Sequence, residues 1–209
     1  MGTDLAPDAI TCQTGDVNPV LLADHPALDF VGTVSERTTV RHEQLTAPAD
    51  LDTWLVRAGV VDEDPHASAD DLAAALRLRE ALYALFRAAS DEAAANGSAN
   101  RAALPVDALA LVNDAAAEPT AAVHLSEDGQ VRRTGTAGAA LAHIARTGIE
   151  LIGGPDRARL RWCADATCTH PFLDRSRAGK RRWCGMAGCG DRAKARAYRA
   201  RRREPAEAG

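Results

Sequence analysis

Apolar residues along this chain recur at helical spacing in four stretches, separated by polar or glycine-containing breaks. The longest stretch predicts a helix from about Asp71 to Ala89. Leu72, Ala75, Leu76, Leu82, Tyr83 and Phe86 share its apolar face, Arg77, Arg79, Glu80 and Arg87 take polar positions, and Asp70 or Asp71 can cap its start. A shorter helix is expected from Leu51 to Val61, with Leu51, Trp54, Leu55 and Ala58 on one face, Asp50 as the cap and Gly59 as the stop. Val106 to Ala117 reads as an Ala/Leu-rich helix. Ala139 to Ile152 reads as another, with Leu141, Ile144, Ala145, Gly148, Ile149 and Ile152 on one face.

Between these last two helices Val123-His124-Leu125 and Val131-Arg132-Arg133 flank Glu127-Asp128-Gly129. Asp-Gly accepts the positive φ of a tight turn, so the segment predicts a β-hairpin. His25 to Val34 is mixed and ends in a β-branched run. Residues 1–20 scatter Pro, Asp, Thr and Gly without a period and are expected to lack stable order. Asn96-Gly97-Ser98 breaks the chain, and Gly153-Gly154-Pro155 ends the last apolar helix and marks a boundary. The pattern predicts an α+β fold: a predominantly helical N-terminal domain with a small β-hairpin, then a small C-terminal module. The apolar helical faces suffice to cover one another and the hairpin, so residues 21–150 are expected to fold alone. Protease should cut at the boundary first.

Charge sharpens the division. The chain as a whole carries a net charge of −4. Residues 157–203, however, hold fifteen Lys and Arg against three Asp and Glu, a balance of +12, and the remainder balances at −16. A basic tail on an acidic body points to nucleic acid or a membrane surface as partner. No apolar stretch is long enough to span a bilayer. The N-terminus lacks the basic and apolar segments of a signal peptide and the Ser or Thr of a myristoylation site. A cytoplasmic protein is expected. No Gly-rich phosphate loop, nucleophile elbow or paired-carboxylate motif is present, so an enzyme is not.

The basic segment also contains a repeat. Arg161-Trp162-Cys163 to Cys168 and Arg182-Trp183-Cys184 to Cys189 share the pattern Arg-Trp-Cys-x-x-Ala-x-Cys, with fifteen residues between the two pairs. Two short cysteine pairs at this separation read as a zinc site, with Cys163, Cys168, Cys184 and Cys189 as ligands of one Zn2+. Four cysteines argue for a closed, structural centre, since a catalytic zinc keeps a position open. A disulfide would need an oxidising compartment and an iron–sulfur cluster a redox partner, and the sequence points to neither. Cys12 lies far from these pairs and His170 between them; neither is expected as a ligand.

Arg161, Arg181 and Arg182 flank the cysteine pairs, where they either soften the charge of the thiolates or meet a partner. Trp162, Trp183 and Phe172 are expected as core packing, with base stacking as the alternative for the tryptophans. Beyond the last cysteine, Arg192, Arg196, Arg199 and Arg203 fall on one face of a helix, and Ala193, Ala197 and Ala200 on a second. The expectation is that the alanines pack on the zinc module and the arginines face outward. Guanidinium forks suit phosphate oxygens and guanine edges. Arg181, Arg182, Arg192, Lys194, Arg196 and Arg199 are therefore the candidate DNA contacts. The alternative is a solvated basic tail, and RNA, the ribosome or an acidic protein would suit the same helix.

Phe172-Leu173-Asp174-Arg175-Ser176, Lys180 to Met186 and Cys189-Gly190-Asp191-Arg192-Ala193-Lys194 together resemble the CGNR-type zinc finger of bacterial proteins. Leu28-Asp29-Phe30-Val31-Gly32-Thr33 and Leu76-Arg77-Leu78-Arg79-Glu80-Ala81-Leu82 resemble the ABATE domain that accompanies it. The resemblance implies a stress-induced transcription regulator, with an ABATE-like, mostly helical regulatory domain over residues 21–153 and the zinc finger over 157–203. The regulatory domain would sense a signal, bind a small-molecule effector, or form a homodimer. Two positions depart from the pattern. Asp191 stands where the family has Asn, and a helix-capping role survives that change while a base or phosphate contact loses a donor. Gly32 also stands in place of an Asn.

Overall fold

The computed structural model describes residues 23, 25–90 and 103–203. The expected disorder of residues 1–20, the break at Asn96-Gly97-Ser98, and Cys12 lie outside the described residues. Among the described residues the fold is a mixed α+β arrangement of helices and three two-stranded antiparallel ribbons.

The N-terminal part begins with α1 (Pro26–Val31), then strands β1 (Val34–Ser35) and β2 (His42–Glu43), and α2 (Pro48–Arg57). Helix α2 starts and stops earlier than its periodicity suggests. Pro48 presets φ for the first turn, and Asp50, at the third position, accepts hydrogen bonds from the Thr46 and Ala47 N–H groups at 2.8 Å. Gly59, at φ +66°, turns the chain away. Helix α3 (Ala69–Ala89) is capped by Ser68 rather than by Asp70 or Asp71. The Ser68 hydroxyl accepts from the Asp71 N–H at 3.1 Å, and the Asp71 carboxylate accepts from the Ser68 N–H at 2.9 Å, which completes a reciprocal box.

Helix α4 spans Val106–Ala117, as its periodicity predicts. The hairpin forms from β3 (Ala122–Leu125) and β4 (Val131–Thr134), with Val123 opposite Arg133 and Gly129 at φ +79° in the turn. The helices do not cover it: Val123, Leu125 and Val131 are exposed. Asp62 ties β4 down, donating its N–H to the Arg133 carbonyl at 2.9 Å and accepting the Arg133 N–H at 2.6 Å. Helix α5 (Ala137–Gly153) packs against α1, α3 and α4. Of its expected apolar face only Ile149 is exposed.

One member of α3 departs from its expected place. Arg79 is 1% exposed and lies inside the core. Its guanidinium donates to both Glu43 carboxylate oxygens, at 2.7 and 2.6 Å, and to the Thr33 hydroxyl at 3.0 Å. Arg37 donates to Glu80 and to the Val31 carbonyl and lies 4.2 Å over the Tyr83 ring. This ionic layer pins the β1–β2 ribbon to α3, while Leu78, Leu82, Leu85 and Phe86 of α3 fill the apolar core.

A 3-10 turn (Pro155–Arg159) leads from α5 into β5 (Leu160–Trp162), which pairs with β6 (Pro171–Leu173). Leu160, Trp162, Phe172 and Leu173 belong to the same buried cluster as Ala27, Phe30 and Phe86. Tyr83 of α3 meets Trp162 edge-on at 5.3 Å, and Arg87 lies 4.6 Å over the same indole. The basic helix α6 (Asp191–Arg203) ends the described chain. No described helix is long and apolar enough to cross a membrane.

Candidate metal centre and basic helix

Each cysteine pair is built by a short backbone turn. Cys163 follows β5 directly, and its N–H donates to the His170 carbonyl at 3.1 Å; the Cys168 N–H closes the first turn on the Asp165 carbonyl at 3.0 Å. In the second turn Gly190 N–H reaches the Gly185 carbonyl at 3.1 Å. Gly188 at φ +106° supplies a conformation that a side chain would strain. The two turns are joined by the Ala164 N–H donating to the Arg182 carbonyl at 2.8 Å.

This scaffold brings the Sγ atoms of Cys163, Cys168, Cys184 and Cys189 within 4.8 Å of one another. Cys168 to Cys184 and Cys184 to Cys189 are each 3.7 Å apart. A tetrahedron of zinc–sulfur bonds of about 2.3 Å has edges of about 3.8 Å. The donor set therefore suits a four-coordinate metal ion. Three of the four cysteines are buried and Cys168 is half-buried.

Without a cation these thiols oppose one another. Hydrogen bonds from Cys168 and Cys184 draw the Cys163 thiol down, and donating that bond pushes Cys168 up to about 12. Cys184 is raised by the same bonds to Cys163 and Cys168, and burial raises Cys189. Four ionised sulfurs at this spacing require a compensating dication.

Arg192 meets a sulfur: its guanidinium lies 3.0 Å from Cys189 Sγ. Of the flanking arginines, Arg161 donates to the Ala158 and Leu160 carbonyls. Arg181 donates to the Trp183 and Cys184 carbonyls and covers the Phe172 ring at 4.7 Å. Arg182 lies 5.0 Å over Trp183. His170 contributes from the other side. Its Nε2 donates to the Gly32 carbonyl at 2.8 Å, and its Nδ1 lies 3.4 Å from Cys168 Sγ. It thus braces the cluster against the end of α1.

Helix α6 meets the first cysteine turn through two arginines that were expected to face outward. Arg192 Nε and Arg196 donate to one oxygen of Asp165, at 3.1 and 2.9 Å, and the Asp165 carboxylate is wholly buried. Ala193 is half-buried and Ala197 exposed, so the alanines pack at the start of the helix beside these two arginines. Arg192 and Arg196 are drawn to the first turn by the buried acid there. Burial pushes the Asp165 carboxyl up, but the Thr167 N–H, Arg192 and Arg196 outweigh it and hold it below the usual range. Lys194 pairs with Asp191 at 3.3 Å, and Arg199 is exposed.

The model of the ABATE family, described as a putative stress-induced transcription regulator, matches residues 24–155, and that of the CGNR zinc finger matches residues 159–202. The chain belongs to the ABATE family. No curated protein matches it. It is a zinc-finger member of a family described as transcription regulators.

Within this ABATE chain the two departures from the family pattern acquire a setting. A Cβ at Gly32 would lie 2.9 Å from His170 Cδ2, so the glycine leaves room for the bracing imidazole. Asp191 opens α6, where an acid is favourable to the helix dipole. Sequence reasoning missed Asp165 and weighed His170 only as a ligand, not as a brace. Asp165 left a trace, as one of three acids among fifteen bases and inside a cysteine pair. The bracing role of His170 left none, because its partner Gly32 is 138 residues away.

Proposed function

We propose that this ABATE chain is a cytoplasmic DNA-binding transcription regulator in which one Zn2+, held by Cys163, Cys168, Cys184 and Cys189, sets the direction of a basic contact helix. Residues 157–203 form the contact module, and residues 21–153 form the regulatory domain that receives a signal or a second subunit. Arg181, Arg182, Arg192, Lys194, Arg196 and Arg199 meet the duplex. The observation that carries this reading is the four-sulfur cluster with tetrahedral spacing, joined directly to a helix whose module balances at +12. Closed four-thiolate zinc is structural, so its contribution is folding energy rather than chemistry.

The test has two parts. Metal analysis of the full chain should give one zinc, and Cys184→Ser should lose it while the helical signal of the N-terminal part persists. Duplex DNA affinity of the zinc-loaded chain should fall steeply with salt, each neutralised phosphate adding about −0.9 to the log–log slope. A metal-free chain with an ordered C-terminal module, or tighter binding to structured RNA than to any duplex, would overturn the reading.

A further inference from the structure

Two of the basic residues are held differently from the rest. Arg192 and Arg196 are one helical turn apart and share a single oxygen of Asp165, yet their side chains remain 49% and 48% exposed. A guanidinium carries five N–H groups. Arg192 spends its Nε–H on Asp165 and one further donor on Cys189; Arg196 spends one on Asp165. Both keep donors to spare at a half-exposed surface. Arg199, exposed on the same face of the helix, has no such support from Asp165.

From this geometry we infer that Asp165 is the positioning residue of the nucleic-acid interface, its buried carboxylate presetting Arg192 and Arg196 as a fixed pair of forks that read duplex DNA. The inference rests on the proposed function and adds to it the source of sequence discrimination. A free surface arginine must be immobilised on binding, which weakens the contact; a pair already held in place is spared most of that loss. It is also held to one direction, so a base edge or phosphate offset from that direction is rejected. The tie runs through the first cysteine turn, because Asp165 lies between Cys163 and Cys168 and its other oxygen accepts the Thr167 N–H at 3.2 Å.

The charge of Asp165 makes this testable by sign. Asp165→Asn keeps the oxygen that the Thr167 turn needs but places an amide donor against two guanidinium groups. It also makes the module more positive, which by electrostatics alone tightens DNA binding. The probes are a duplex selected by the zinc-loaded, full-length wild type from a random pool and a scrambled duplex of the same composition, measured over a series of salt concentrations. In Asp165→Asn, affinity for the scrambled duplex should hold or rise, while affinity for the selected duplex falls by on the order of tenfold. Arg196→Lys keeps the charge and loses the fork, so it should keep the salt slope and lose discrimination. Unchanged discrimination in a zinc-loaded Asp165→Asn protein overturns the inference. If that variant loses its zinc, Arg196→Lys decides by the same criterion. A wild type that selects no duplex, or prefers structured RNA, refutes the proposed function itself, an outcome distinct from a variant that merely keeps its selectivity.

Discussion

Replacing Glu43 with Gln should destabilise the chain far more than its position on a two-residue strand suggests. Arg79, 1% exposed, donates both arms of its guanidinium to Glu43. The amide keeps one acceptor and turns a donor toward the other arm, leaving the buried cation to Thr33 and to a longer, 3.3 Å pairing with Glu80. Removing one partner of a buried pair costs roughly 3–5 kcal/mol. The Glu43 side chain is 26% exposed, so water can replace part of the loss, and the lower end, about 3 kcal/mol, is expected. For a chain of this size that is a fall in Tm of about 6–12 °C, read by far-UV circular dichroism at fixed free zinc. Arg79→Met should cost less, because the half-exposed carboxylate left behind can rehydrate. Acid supplies a second reading. Burial pushes the Glu43 carboxyl up, but the hydrogen bonds from Arg79 and Leu45 outweigh it and hold it below its ordinary value. Its contribution is therefore full above about pH 4.3, the unfolded value, and is lost as pH falls through the lower folded one. The gap between wild type and Glu43→Gln should close over that window, with the metal contribution common to both proteins. A variant within about 2 °C of wild type at neutral pH, or a gap that widens in acid, would refute the reasoning.

Gly32→Ala should destabilise by about 1–3 kcal/mol in urea titration, because the imidazole it displaces is tied at both nitrogens. Ser68→Ala should cost about 1 kcal/mol by removing one half of the α3 box; Asp71→Ala should remove the other half, and the pair should not be additive.

Where a local rule decided the outcome, it was legible in the chain. Helix α4 begins and ends where its period does, and the 128–129 turn placed the hairpin in register. The spacing of the four cysteines was enough to say that they would converge on one cluster. Helix α3 shows the limit. A charged residue at position 79 reads as solvent-facing, and nothing local says that its partner stands 36 residues earlier on another element. Ser68 was a subtler case: the Ser-x-x-Asp pattern was present, but a neighbouring pair of aspartates offered an equally plausible cap. The tie of Arg192 and Arg196 to Asp165 was hidden for the same reason as that of Arg79: nothing local showed that the module beneath the helix contributes a buried carboxylate.

Because Leu160, Trp162, Phe172 and Leu173 share one buried cluster with the N-terminal helices, zinc uptake at the proposed site should be thermodynamically coupled to folding of the N-terminal part. A ligand bound only by the folded form adds about 1.4 kcal/mol for each tenfold rise of its free concentration above Kd. The exchange runs in both directions. A core substitution in α1, far in sequence from any of the four cysteines, should register as weaker apparent zinc affinity, and zinc supply should set how much destabilisation the N-terminal helices tolerate before the chain unfolds.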